Sequence, residues 1–74
     1  MKRYRNNPFA VRLFKALEKS GMMQKEFADR IGVTQTSVSR YLSGDRIPKA
    51  DLVANMAKAL GVSCDYLCGM DGTE

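Results

Sequence analysis

Four side chains able to hydrogen-bond in more than one way share one face of a short helical stretch: Gln35, Thr36, Ser39 and Arg40. Amides, hydroxyls and a guanidinium on one face, with no bulky apolar group among them, suit the base edges of a major groove. Gln can bond adenine bidentately, Arg can do the same to guanine, and the Thr methyl can touch a thymine methyl. The plain alternative is a solvated surface. It is disfavoured because Val38 and Leu42 anchor the opposite side and fix this face outward, beside a basic loop.

Other chemistries are poorly supplied. The chain has no histidine, which removes the commonest general base and metal ligand. No glycine-rich phosphate loop and no nucleophile–base pair can be named, so no catalytic residue is assigned and an enzyme is not expected. Cys64 and Cys68 are the two thiols. With no other soft ligand nearby they cannot complete a tetrahedral zinc site, and four residues apart on one helix face they have poor disulfide geometry. Neither a metal nor another cofactor is expected, and no small-molecule ligand is evident.

The elements that must position the polar face are read from periodicity and punctuation. Asn7-Pro8 starts a first helix, with Asn as cap and Pro at the first helical position. Phe9, Leu13 and Leu17, flanked by Ala10, Phe14 and Ala16, give it a buried stripe from which Arg12, Lys15 and Lys19 fall away. Ser20-Gly21 ends it. A second helix spans about Gln24 to Ile31, with Phe27, Ala28 and Ile31 inward and Gly32 closing it. Thr34 caps a third, about Gln35 to Leu42. Ser43-Gly44-Asp45 and Ile47-Pro48 form a loop. A fourth helix, about Lys49 to Leu60, carries the rows Leu52-Met56-Leu60 and Val53-Ala57 and is expected to be the most buried. Gly61 stops it, and Ser63 caps a short fifth helix, with Val62 and Leu67 as a hydrophobic staple. No strand pattern appears. The expectation is a compact all-α domain of five helices over 7–69, a flexible basic arm over 1–6, and a disordered tail or linker start over 70–74.

Composition agrees. Seventy-four residues make one domain, and 45% apolar content is ordinary for a globular chain. The net charge of +4 is unevenly spread: residues 1–25 hold seven bases and one acid, and residues 61–74 hold three acids and no base. Such asymmetry favours a polyanionic partner met in one orientation. No apolar run is long enough to span a bilayer and no signal peptide is visible, so a cytoplasmic protein without a membrane partner is expected.

The stretch Gln24 to Gly44, with Ala28 small at the helix crossing and Gly32 at the sharp turn, resembles the lambda-repressor-like, Cro/repressor (XRE-type) helix-turn-helix domain. The resemblance runs from about Phe9 to Gly69. It includes Ala59-Leu-Gly-Val-Ser-Cys-Asp-Tyr-Leu67, which is similar to the closing signature of that family. It implies that Gln35, Thr36, Ser39 and Arg40 read bases. It also implies that Gln24 binds a phosphate and braces Gln35, and that Ser43, Arg46 and Lys49 grip backbone phosphates. Simple turn chemistry is the alternative for Ser43, and solvation of an exposed loop is the alternative for Arg46 and Lys49. Lys2, Arg3 and Arg5 are candidate arm contacts to the duplex. The implied function is sequence-specific binding of double-stranded DNA as a homodimer on a palindromic operator, with recognition helices roughly 34 Å apart. Cys64, Tyr66, Leu67 and Met70 are candidates for the dimer face, unless Tyr66 and Leu67 simply close the core. The alternative is an antitoxin or adaptor of the same fold that acts through a protein partner.

Two departures from the family pattern are visible. Met23 stands where a Thr, Ser or Asn cap is usual. Leu17 and Leu42 occupy positions where an Arg–Glu pair is often found, and the swap predicts contact between these two side chains.

Overall fold

The computed structural model describes residues 8–69. The arm positions Lys2, Arg3 and Arg5, the cap Asn7, and Met70 with the rest of the tail lie outside them. Five helices follow one another: α1 (Pro8–Ser20), α2 (Gln24–Ile31), α3 (Gln35–Ser43), α4 (Ala50–Leu60) and α5 (Cys64–Cys68). No strand occurs among the described residues. Helix ends sit within a residue of their expected places. Lys49 is the N-cap of α4 rather than its first residue, and α3 runs one residue further, to Ser43.

The core is a single cluster. Leu13, Phe27, Val38, Met56 and Leu67 are its largest fully buried side chains, one from each helix. α1 packs against α3, α4 and α5, while α2 packs against α3 and α4. That arrangement makes α1, not α4, the most buried helix. Six residues of α1 are buried, against Val53, Met56 and Ala57 in α4, where Leu52 and Leu60 are only half-covered. Leu17 and Leu42, expected to replace an ion pair by apolar packing, are both buried in the common core.

Two assignments on α1 are corrected. Phe14 does not share the buried stripe but is 46% exposed. Arg12 does not fall away to solvent but is 8% exposed. Its Nη1 donates a 2.8 Å hydrogen bond to the Tyr66 carbonyl, and its guanidinium carbon lies 4.7 Å from the Tyr66 ring centroid. The apolar stem of an arginine tolerates burial while its planar head takes a carbonyl and an aromatic face. Here the head docks at the C-terminal end of α5, where the helix dipole favours a cation. A five-residue helix cannot stand alone. α5 is held by this clamp, by Leu67 in the core, and by Ser63, whose hydroxyl accepts the Tyr66 N–H at 3.0 Å.

Beyond α5, Gly69 has φ +72°, and a Cβ placed there would come 3.1 Å from Pro8 Cβ. The two ends of the described fold therefore meet.

Candidate nucleic-acid interface

α2 and α3 are joined by Gly32-Val33-Thr34. Gly32 adopts φ +77°, and a Cβ there would meet nothing within 4 Å. The requirement for glycine is therefore backbone conformation, not space. The Gly32 and Val33 N–H groups both turn back to the Ala28 carbonyl, the latter at 3.0 Å, which closes α2 tightly. Val33 then packs on the core from the turn.

Thr34 starts α3. Its Oγ1 accepts the Ser37 N–H at 3.1 Å, and its hydroxyl lies 3.1 Å from the Ser37 Oγ, which fixes the first turn of the helix. Val38, Tyr41 and Leu42 are buried. Burial of Tyr41 was not read from the sequence; at i+3 from Val38 it was available to the helical period, but its hydroxyl disguised it. With that face inward, Gln35, Thr36, Ser39 and Arg40 are all exposed and together on the opposite side. Arg40 is the sole charged residue of α3, so no carboxylate on this helix opposes a polyanion. Nine residues give α3 a length of roughly 13 Å, commensurate with a major groove about 12 Å wide.

The neighbouring positions separate into three kinds. Gln24 is exposed at the first position of α2. Its expected brace to Gln35 is not among the hydrogen bonds of the described residues. Met23, the N-cap of α2, offers no side-chain hydrogen bond and is 74% exposed, so the first N–H groups of α2 lack a side-chain cap. Arg46 and Lys49 are exposed in the α3–α4 loop. Ser43, by contrast, is half-buried: its hydroxyl donates to the Arg40 carbonyl at 3.1 Å and accepts from the Asp45 N–H at 3.4 Å. That is turn chemistry, and it commits the hydroxyl proton within the protein.

The dimer-face candidates among the described residues differ in exposure. Leu67 is 0% exposed and closes the core, so it is not available to a second chain. Tyr66 is half-buried, with its ring against Arg12. Cys64 is exposed. Ile47, in the α3–α4 loop, is an apolar side chain left 71% exposed.

Two helices packed across a tight glycine turn, the second with a polar outward face and an apolar inward one, define a helix-turn-helix. Comparison with known proteins agrees: the helix-turn-helix family profile matches residues 13–67, and the chain belongs to that family, of the Cro/repressor, XRE type. The chain is 38% identical over 60 residues to the cryptic phage CTXphi transcriptional repressor RstR of Vibrio cholerae, covering 81% of this chain and 51% of that protein. It is 35% identical over 60 residues to the transcriptional regulator ImmR of Bacillus subtilis, covering 81% of this chain and 47% of ImmR. It is 34% identical over 65 residues to the 26 kDa repressor protein of Escherichia phage HK022, covering 82% of this chain and 28% of that repressor. The chain thus spans about half, or less, of these relatives.

Proposed function

We propose that this protein is a DNA-binding transcriptional repressor that reads a palindromic operator as a homodimer, one α3 in the major groove of each half-site. The reading rests chiefly on the exposure of Gln35, Thr36, Ser39 and Arg40 together on the one face of α3 that the core leaves free. Phage and bacterial relatives named as repressors support it. No catalytic role is assigned to any residue, and the cytoplasm is the compartment this function implies. No described helix is long and apolar enough to cross a membrane.

In this reading Gln35 and Arg40 supply the bidentate contacts, and Thr36 and Ser39 supply a methyl and a hydroxyl to flanking bases. Gln24, with the uncapped N–H groups of α2, meets a phosphate on one side of the groove. Arg46 and Lys49 meet phosphates on the other. These contacts set orientation and salt dependence rather than sequence. Ser43 shapes the turn that presents them. Lys2, Arg3 and Arg5 add backbone contacts from the arm. Half-sites one helical turn apart are roughly 34 Å from centre to centre, and each copy offers a single α3. In this reading one copy serves one half-site, and a second copy serves the other half of the palindrome. Of the four candidates for a contact between copies, Cys64 is the one exposed among the described residues, and the proposed contact is made through it and, by its place in the sequence alone, Met70.

Selection of bound sequences from a random duplex pool tests the whole reading. A palindromic consensus with half-site centres 10–10.5 base pairs apart, or a multiple of it, is expected. Recovery of no consensus, together with stable co-purification of another protein, would favour the adaptor alternative.

A further inference from the structure

Ile47 is 71% exposed, yet it is not loosely held. Pro48 follows it and is buried. A proline fixes its own φ and confines the residue before it to extended backbone. Isoleucine, branched at Cβ, is also stiff about χ1. The α3–α4 loop therefore holds an apolar side chain out in water in a nearly fixed orientation, so little conformational freedom is left to lose when it is covered. Ile47 stands at a groove of about 480 Å³, shared by α1, α4, α5 and the same loop, whose walls include Phe9, Val53, Cys64 and Cys68. Every described residue that lines the groove is uncharged, in a chain of net charge +4. Such a face differs from the polar, cationic outer side of α3 and suits apolar association rather than a polyanion.

One chain thus offers an apolar projection and an apolar recess side by side. A two-fold axis lets each copy cover the recess of the other with its own projection, which is what a self-complementary contact requires. The charges next to the groove obey the same symmetry. Arg46 precedes Ile47 in the loop, Asp65 follows Cys64 in α5, and both are exposed. The loop of one copy laid on α5 of the other brings these unlike charges together twice, once on each side of the axis. We infer that the Ile47–Pro48 loop and the groove beside α4 and α5 form an isologous face for a second copy of this chain, with Ile47 as its apolar anchor and Arg46 paired to Asp65 across the axis. The guanidinium has five donors, so donors remain for the phosphate assigned to Arg46 above. The inference rests on the homodimeric reading and supplies the anchor that Cys64 alone does not. Pairing through the loop that follows α3 also makes the spacing of the two α3 helices a property of the protein rather than of the DNA.

The test is self-association of the full chain without DNA, followed by sedimentation equilibrium and by concentration-dependent NMR shifts. The face is small, so a dimer of the weak, reversible class is expected, with shifts centred on Ile47, Ala50, Val53 and Cys64. Ile47→Asp should weaken it by roughly thirtyfold or more, the loss expected of a central anchor. Ile47 is exposed, so the helical circular dichroism of the variant should match that of the parent. Asp65→Arg should weaken the dimer several-fold, and Arg46→Asp added to it should restore most of that loss, which no purely structural role of either residue predicts. Because no DNA is present, failure here is separable from failure of operator binding: a palindromic consensus bound by independent copies would leave the repressor reading standing without this face. A chain that stays monomeric at millimolar concentration, a dimer indifferent to Ile47→Asp, or shifts centred on α3 would overturn the assignment. So would contacts to the groove from residues 1–7 or 70–74 of the same chain in a dilute, monomeric sample.

Discussion

Gln35 and Arg40 do different work from Arg46 and Lys49, and the difference is measurable. A bidentate base contact discriminates by roughly 1–3 kcal/mol against the wrong base. Gln35→Ala and Arg40→Ala are each expected to relax preference at one operator position by about that amount while leaving other positions intact. Binding to a panel of single-base variants of the selected site checks this; an unchanged preference after Gln35→Ala would remove its reading role. Lys49→Ala and Arg46→Ala are expected to weaken all duplexes similarly and to lower the slope of log affinity against log salt by about 1 each. At Ser43 the hydroxyl already serves the Arg40 carbonyl and the Asp45 N–H. Ser43→Ala should therefore act first on the turn, and so on stability, before it acts on the salt slope.

At the scale of elements, capping decides how firmly the interface is presented. Thr34→Ala removes the acceptor of the Ser37 N–H at the start of α3 and is expected to cost about 0.5–2 kcal/mol in urea unfolding. The same change should reduce specific DNA affinity, because the first turn of α3 carries Gln35 and Thr36. At α2 the direction reverses. Met23 has the extended backbone of a cap, φ −81° and ψ 159°, but no capping side chain. Met23→Ser is expected to raise stability by roughly 0.5–1 kcal/mol; a drop would mean that the exposed Met23 side chain makes a contribution of its own. These caps were legible in the chain, because a cap and the helix it starts are neighbours in sequence. The Arg12 clamp was not, because its carbonyl partner stands 54 residues away.

For the whole molecule, stability rests on one small core with one fully buried large side chain from each helix. A domain of this length holds together by roughly 4–11 kcal/mol. Leu13→Ala and Leu67→Ala are each expected to cost about 2–5 kcal/mol, enough to leave a substantial unfolded fraction near 37 °C by thermal denaturation. Arg12→Ala should be milder globally and harsher locally. Loss of a hydrogen bond from a charged donor is worth about 1.5–3 kcal/mol, and hydrogen exchange should rise first in α5. Arg12→Lys should restore this protection only in part, since an ammonium cannot reproduce the planar contact with Tyr66.

The order of five helices, their ends, and the outward polar face of α3 were written in the chain itself. A 3.6-residue apolar period, capping residues and glycine stops all act within a turn or two of where they stand. What packing alone decided was which side chains each helix keeps from water when others lie across it. α5 lying on α1 drew Arg12 inward, while Phe14 was left exposed. The same closure sent Leu67 into the core, away from any second chain. It also brought the two thiols of α5 to a groove walled by Phe9 and the Ile47-Pro48 loop. These outcomes depend on surfaces contributed by distant parts of the sequence, and no local pattern encodes the crossing that brings them together.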